Sequence, residues 1–309
     1  MKKEFYSNGK LLITGEYLVL DGAKSLALPT KFGQSLSVEI TNNPCKIFWR
    51  SFDSDGDCWF ETELDFNSIM SFKYDSKLDS VQNTLIRILK EGFQLNPEFL
   101  LDKTIGYHIT TNLNFPRNWG LGTSSTLLNN IAQWLQIDAF VLLHASFGGS
   151  GYDIACAQNN AAITYQLKNS NPVVEKVSFN PSFTDSIYFL YLNKKQNSKS
   201  AIATYRNKKL DLDKKLEEVT SITDYLLKSP LTLKQFKMKL IEHEKLLSTI
   251  LEVPTIQQTY FQDFDGVVKS LGAWGGDFVM VVSSQNPKRY FASKGFEVLL
   301  SFEEMILNN

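Results

Sequence analysis

The sequence is short of the residues that brace small folds and hold metals. Of its 309 residues, three are cysteine (Cys45, Cys58, Cys156) and three are histidine (His108, His144, His243). The cysteines form no C-x-x-C pair and an odd count is no disulfide framework, so free thiols in a reducing cytoplasm are expected. The histidines lack the spacing of a zinc site. No apolar run approaches the roughly 20 residues of a membrane span. The opening MKKEFYSNGKLLITGEYLVL is interrupted by Gly15 and Glu16 and no small-residue cleavage site follows, so no signal peptide is expected. Neither charge is in excess: 32 Lys and Arg stand against 33 Asp and Glu. That balance argues against a dedicated nucleic-acid binder. The 22 Phe, 12 Tyr and 5 Trp argue against intrinsic disorder.

Charge itself is scarce in one place. Across the 50 residues from Asn118 to Leu167, only Asp138 and Asp153 are charged, where the chain average predicts about ten. The segment is rich in Asn, Gln, Ser, Thr and Gly. It is too polar for a membrane and too uncharged for a surface, so it is expected to lie within protein or against a ligand.

What is present suggests mixed α+β structure. Runs at Leu11 to Thr14, Ser25 to Leu28, Ser35 to Ile40, Lys46 to Arg50 and Cys58 to Glu63 are rich in β-branched or aromatic residues and separated by turn signals. Val81, Leu85, Ile88 and Leu89 recur at helical spacing, predicting a helix over Asp79 to Glu91. A strand is expected at Tyr107 to Thr111, a helix at Thr123 to Leu135, and a second helix capped by Asp138 and running to His144. Asp153 onward could start another helix. Strands follow at Ala161 to Gln166, Val173 to Phe179 and Ile187 to Leu192, then helices at Asp211 to Lys228, Leu231 to Leu251 and Thr255 to Lys269. Phe278 to Val282 reads as a strand, and Phe296 to Leu307 as a strand and a short helix. Without regular βαβ alternation, α+β is favoured over a doubly wound sheet. Pro181 to Asp185 resembles a junction, so domains 1–182 and 183–309 are expected.

Gly-rich loops at residues 120–122, 148–151 and 272–276 suggest phosphate binding. The common motifs are absent. Gly9-Lys10 lacks both the upstream Gly and the following hydroxyl of a P-loop. Gly120-Leu121-Gly122 has Ser125 where a dinucleotide fingerprint needs its third glycine. There is no H-R-D or D-F-G of a protein kinase. What remains is Gly120-Leu121-Gly122-Thr123-Ser124-Ser125 opening into a helix. Glycines permit close backbone approach, and the first N–H groups of a helix lack intrahelical partners and favour an anion. The alternative is an ordinary Ser/Thr cap after a turn.

Four segments, in order, resemble the motifs of the GHMP kinases, the galactokinase, homoserine, mevalonate and phosphomevalonate kinase superfamily. They are Gly9 to Tyr17, Pro116 to Ser125, Ser150 to Ala155 and Lys269 to Asp277. The Gly-Glu-Tyr and Gly-Gly-Asp variants are most similar to the mevalonate and phosphomevalonate kinases. The resemblance implies an N-terminal ATP-binding domain of ribosomal-protein-S5-domain-2-like fold and a ferredoxin-like C-terminal domain. It implies an ATP- and Mg²⁺-dependent kinase of a small hydroxy acid. Mevalonate, an isoprenoid precursor, is the first expectation and phosphomevalonate the second; a catalytically weak metabolite-binding protein is a further alternative. Partners would be substrate and ATP, with no nucleic acid and no membrane, and a homodimer is compatible with the resemblance.

The resemblance assigns roles residue by residue. Asp153 would be the catalytic carboxylate, orienting the acceptor and taking its proton. Lys10 would be its cationic partner. Gly120, Leu121, Gly122, Thr123, Ser124 and Ser125 would bind ATP phosphates, with Ser124 also on the metal. Glu16, Ser150, Gly151, Gly272, Gly275 and Gly276 would bind substrate. The bland readings are a solvated lysine at Lys10, a turn acid at Glu16 and an ordinary turn at the last loop. Lys194, Lys195, Lys199, Arg206, Lys208 and Lys209 could draw an anionic substrate inward or form a solvated face. Two departures stand out. The acid that helps hold magnesium in the mevalonate-kinase branch would fall near Leu142, where none exists, and Trp274 replaces a glycine, where its ring would narrow a cleft or stack on a ligand.

Overall fold

A computed structural model describes residues 2–73, 80–194, 198–207 and 212–307, with only the backbone of 198–201. The chain forms two compact units that interleave in sequence. One comprises Met1–Gly9, Phe32–Arg117 and Gly122–Gln158; the other comprises Lys10–Lys31, Asn118–Leu121 and Asn159–Asn309. The sequence reading instead places one boundary after residue 182. The interleaving follows from two long strands, β1 (Lys2–Leu12) and β2 (Ser25–Thr41), each of which contributes to both units. They pair with each other.

In the first unit the C-terminal part of β2 pairs antiparallel with β5 (Gly106–Leu113). β3 (Lys46–Phe52) lies parallel to β5 and antiparallel to β4 (Cys58–Asp65), giving the order β4-β3-β5-β2. Among the described residues, five α-helices accompany these strands: α1 (Phe66–Ser71), α2 (Val81–Leu95), α3 (Thr123–Leu135), α4 (Ala139–Ser146) and α5 (Tyr152–Ala157). Local chemistry sets their starts. Ser80 accepts a hydrogen bond from Asn83 N–H, and Asp138 accepts from Phe140 and Val141 N–H at 2.7 and 3.1 Å, as its expected cap role requires. The core joins Leu36, Val38, Ile47, Trp49 and Ile109 of the strands to Leu85, Leu89, Leu128, Ile131 and Leu142 of the helices. Burying each such side chain contributes about 1.5–3 kcal/mol.

In the second unit the N-terminal part of β2 pairs antiparallel with β6 (Ile163–Lys168), which pairs with β7 (Asn171–Lys176). A separate antiparallel sheet has the order β11-β8-β10-β9, built from β8 (Ile187–Tyr191), β9 (Val267–Ser270), β10 (Phe278–Val282) and β11 (Leu299–Ser301). Around it run α6 (Ser198–Arg206), α7 (Asp213–Leu226), α8 (Leu233–Leu251), α9 (Ile256–Tyr260), α10 (Lys288–Ser293) and α11 (Phe302–Met305). Capping boxes at Thr232/Gln235, Thr255/Gln258 and Ser301/Glu304 open α8, α9 and α11. Among the described residues, no helix is long and apolar enough to cross a membrane.

The expected helix over Thr255 to Lys269 is two elements, α9 and β9. Asp265-Gly266 breaks it: a Cβ on Gly266 would lie 2.4 Å from the Phe264 ring and 2.9 Å from Val282 O. The β-branched pair Val267-Val268 then enters the sheet. The two strands expected within Ser25 to Ile40 are one, β2. Of the basic run, Lys195, Lys208 and Lys209 lie outside the described residues, as does Asp211 at the start of an expected helix.

Candidate active site

The predicted phosphate loop is shaped by its glycines. Gly120 and Gly122 have φ of +69° and +101°, in the left-handed region that glycine occupies without a Cβ penalty. Gly122 is the N-cap of α3, and no side chain caps this terminus. Ser125 Oγ–H donates to Gly122 O at 2.8 Å, and Thr126 N–H donates to the same oxygen at 3.0 Å. Ser125 thus faces inward and braces the turn, whereas Ser124 is exposed. The result is an uncapped helix N-terminus with one outward hydroxyl, a chemistry suited to an anion and its counter-ion.

The other face of α3 explains the scarcity of charge. Asn129 and Asn130 are buried, and their amides meet polar partners rather than solvent. Ser7 Oγ–H donates to Asn130 Oδ1 at 2.7 Å, and Asn129 Nδ2–H donates to Ser7 Oγ at 2.8 Å. Asn130 Nδ2–H reaches Gln34 O at 2.9 Å, Thr126 Oγ1–H reaches Gln34 Oε1 at 2.8 Å, and Gln158 Nε2–H reaches Asn129 Oδ1 at 3.1 Å. This network ties α3 to β1, β2 and the end of α5 with neutral groups. Ionised side chains there would carry a large desolvation penalty.

In the second unit, residues 118–121 are held by several partners. Lys10 N–H donates to Leu121 O at 2.9 Å, and Lys10 Nζ donates to Gly120 O at 3.0 Å. Tyr191 Oη–H donates to Asn118 O at 3.1 Å, and the Trp119 ring meets Phe278 edge-on at 5.3 Å. Asp277 packs on Gly120 so closely that a Cβ there would lie 2.2 Å from the carboxylate. The structure therefore brings together two predicted site residues, Lys10 and Gly120, and adds Asp277, whose role sequence reasoning missed. Its position inside the Gly-Gly-Asp motif was the available signal.

Asp153 lies in the first turn of α5, part-buried, after Gly151 at φ +89°; its Oδ1 accepts from Ile154 N–H at 3.1 Å. Gly151, and not Asp153, holds the cap position. Ser150 is buried, and a Cβ on Gly148 or Gly149 would meet nothing within 4 Å. In the last loop, Gly272 and Gly275 have φ of +61° and +87°, and Gly276 is buried.

Glu16 is fully enclosed, so any influence on a ligand passes through its neighbours. Its Oε1 lies 2.5 Å from Lys269 Nζ, itself fully buried. Its Oε2 lies 3.4 Å from His243 Nε2, which accepts Gly15 N–H at 3.0 Å. Glu244 accepts from Ser270 N–H at 3.1 Å and from Ser270 Oγ–H at 3.0 Å. Burial pushes the Glu16 carboxyl up to about 7 against the opposing pull of Lys269. Burial raises Glu244 as well, and burial with the nearby Lys269 charge keeps His243 neutral by lowering its pKa. Trp274 carries its ring onto the cluster of Tyr17, Leu18, Leu246 and Ile250, and its indole N–H donates to Pro254 O at 3.4 Å.

No family model matches the sequence, and no curated protein matches it significantly. Solved structures do. The Methanococcus jannaschii mevalonate kinase is similar over 100% of this chain and 99% of its own, with a TM-score of 0.69 at 13% identity. The fold is that of the GHMP kinases. The Streptococcus pneumoniae phosphomevalonate kinase, solved with phosphomevalonate and AMPPNP, matches 97% of this chain and 99% of its own, with a TM-score of 0.69 at 18% identity. The Lactococcus lactis galactokinase, complexed with galactose, matches 95% and 88% with a TM-score of 0.62 at 14% identity. Identities this low carry the GHMP fold and leave the acceptor open. Where the mevalonate-kinase resemblance calls for a magnesium-binding acid, Leu142 is fully buried in the core. Among the described residues, no group of three or more His, Cys, Asp or Glu side chains could hold a metal ion.

Proposed function

We propose that this chain is an ATP-dependent kinase that transfers the γ-phosphate to a small hydroxy acid, with mevalonate as the first candidate acceptor. The observation that carries the reading is the double attachment of Lys10 to Gly120 and Leu121, immediately before the uncapped start of α3. Backbone N–H groups of residues 123–125 bind phosphate oxygens, and the Lys10 ammonium offsets charge on the transferring group. Magnesium fits this donor set, because it keeps several waters and takes few protein ligands; Ser124 supplies its exposed hydroxyl. Bound Mg²⁺ would neutralise phosphate charge. Asp153 orients the acceptor hydroxyl and accepts its proton. Ser150, Gly151 and the Gly272–Gly276 loop contact the substrate, and Glu16 acts on it only indirectly.

A phosphate acceptor such as phosphomevalonate is the second reading. It is already anionic and depends less on a base. A third reading, nucleotide binding without transfer, is favoured by the core leucine at position 142. A coupled ADP-release assay with Mg²⁺ against hydroxyl and phosphate acceptors separates the three. Turnover with mevalonate that is abolished by Asp153→Asn supports the first. Turnover with phosphomevalonate alone supports the second. ATP binding by calorimetry without turnover on any acceptor supports the third.

A further inference from the structure

The last glycine-rich loop is anchored by a residue that the resembled motif does not have. Trp274 N–H donates to Tyr17 Oη at 3.0 Å. Its ring is seated on the cluster formed by Tyr17, Leu18, Tyr205, Leu246, Leu247 and Ile250. The Tyr17 ring is itself fixed against Tyr205, with centroids 5.5 Å apart. Tyr17 adopts φ +63°, a conformation that costs a non-glycine residue about 1–2 kcal/mol and persists only where its surroundings impose it.

Those surroundings are the buried polar cluster. Gly15 N–H is held by His243, and Glu16 is held by Lys269. A Cβ on Gly15 would lie 2.0 Å from Ser25 Oγ, so the turn has no room to relax. Lys269 and Ser270 end β9, two residues before the loop, and Glu244 grips Ser270. At the other end, Asp277 N–H donates to Lys194 O at 2.6 Å. The loop is thus fixed at both ends by β-sheet and buried charge, and its middle is held through Trp274, by the Tyr17 hydroxyl and by the cluster under the ring.

We propose that Tyr17 and Trp274 are positioning residues that hold the Gly272–Gly276 loop in one conformation before any ligand arrives. The loop's two positive-φ glycines would otherwise sample many conformations, and a ligand would have to order them on binding. Neither residue needs to touch the ligand for this effect. The consequence for nucleotide or phosphorylated substrate rests on the kinase reading; the latch does not.

The test uses Tyr17→Phe, which removes only the hydroxyl, and Trp274→Ala, which removes only the ring. Peptide-resolved hydrogen exchange over 271–277 is read alongside AMPPNP affinity by calorimetry. Loss of one hydrogen bond predicts about fivefold faster exchange in this peptide for Tyr17→Phe. Exchange in α3 and in the first unit stays unchanged, and AMPPNP binds several-fold more weakly to both variants. A general rise in exchange across α7 and α8 instead assigns the pair a merely structural role and overturns the proposal. So does unchanged exchange in the loop. Faster loop exchange with AMPPNP affinity equal to that of the unaltered protein overturns the positioning role. If the unaltered protein binds no AMPPNP, the kinase reading fails, while the exchange data still decide the latch.

Discussion

Gly120→Ala superimposes two separable energies on one added carbon. The first is conformational: Gly120 has φ +69°, and an alanine held there loses about 1–2 kcal/mol. The second is steric. The new Cβ would lie 2.2 Å from Cγ and Oδ2 of Asp277 and 2.7 Å from Oδ1. Asp277 cannot simply back away. Its N–H is bonded to Lys194 O at 2.6 Å, its carbonyl accepts from Leu192 N–H at 2.8 Å, and its own φ is +52°. Overpacking of this kind costs about 1–3 kcal/mol, so the single substitution should destabilise by about 2–5 kcal/mol in all. Asp277→Gly removes the opposing carboxylate and relieves its left-handed backbone. In the double variant only the conformational part of the Gly120→Ala cost should remain. Urea unfolding of the four proteins, followed by circular dichroism, gives the coupling energy. A value of about 1–3 kcal/mol is expected. Additivity within about 0.5 kcal/mol would mean that Asp277 does not pack on the loop, and the reasoning fails.

Three further predictions follow from the same geometry. Asp153→Asn keeps the shape of α5 but loses the proton acceptor, so kcat with a hydroxyl acceptor should fall about 10²–10⁴-fold with little change in AMPPNP affinity. Glu16→Gln should flatten the pH profile of stability: the raised Glu16 pKa of about 7 means that the folded state binds the extra proton. Stability of the unaltered protein should therefore fall as pH rises from about 4.5 to about 7, by about 3 kcal/mol, a loss that thermal melts of the glutamine variant should not show. Asn130→Ala removes the buried acceptor of the Ser7 hydroxyl and the amide donor to Gln34 O, and chemical denaturation should register a loss of about 1–3 kcal/mol.

Elements with strong local signals were readable from sequence. The helix from Thr123 to Leu135, the strand from Phe278 to Val282 and the cap at Asp138 lie where glycine turns, β-branched runs and a short polar side chain place them. Elements whose limits depend on distant partners were not. β1 extends back to Lys2 through Ser7 and Asn8, polar residues that are buried only in the assembled fold. β2 runs 17 residues without interruption because different neighbours pair with its two parts. The helices α1, α6 and α10, of six to nine residues, carry too little periodicity to stand out.

By itself, the sequence determined the order of the glycine loops, the α+β mixture and the polar, charge-poor stretch, because each is written in residues close together along the chain. Only the tertiary structure decided what those residues meet. Glu16 reads as a turn acid until Lys269, 253 positions away, encloses it. Asn130 reads only as one amide of a charge-poor stretch until Ser7, 123 positions away, accounts for it. Gly120 reads as a phosphate-loop glycine, and only folding sets the Asp277 carboxylate against it. Burial and hydrogen-bond satisfaction belong to pairs of residues, and distant pairs exist only after folding.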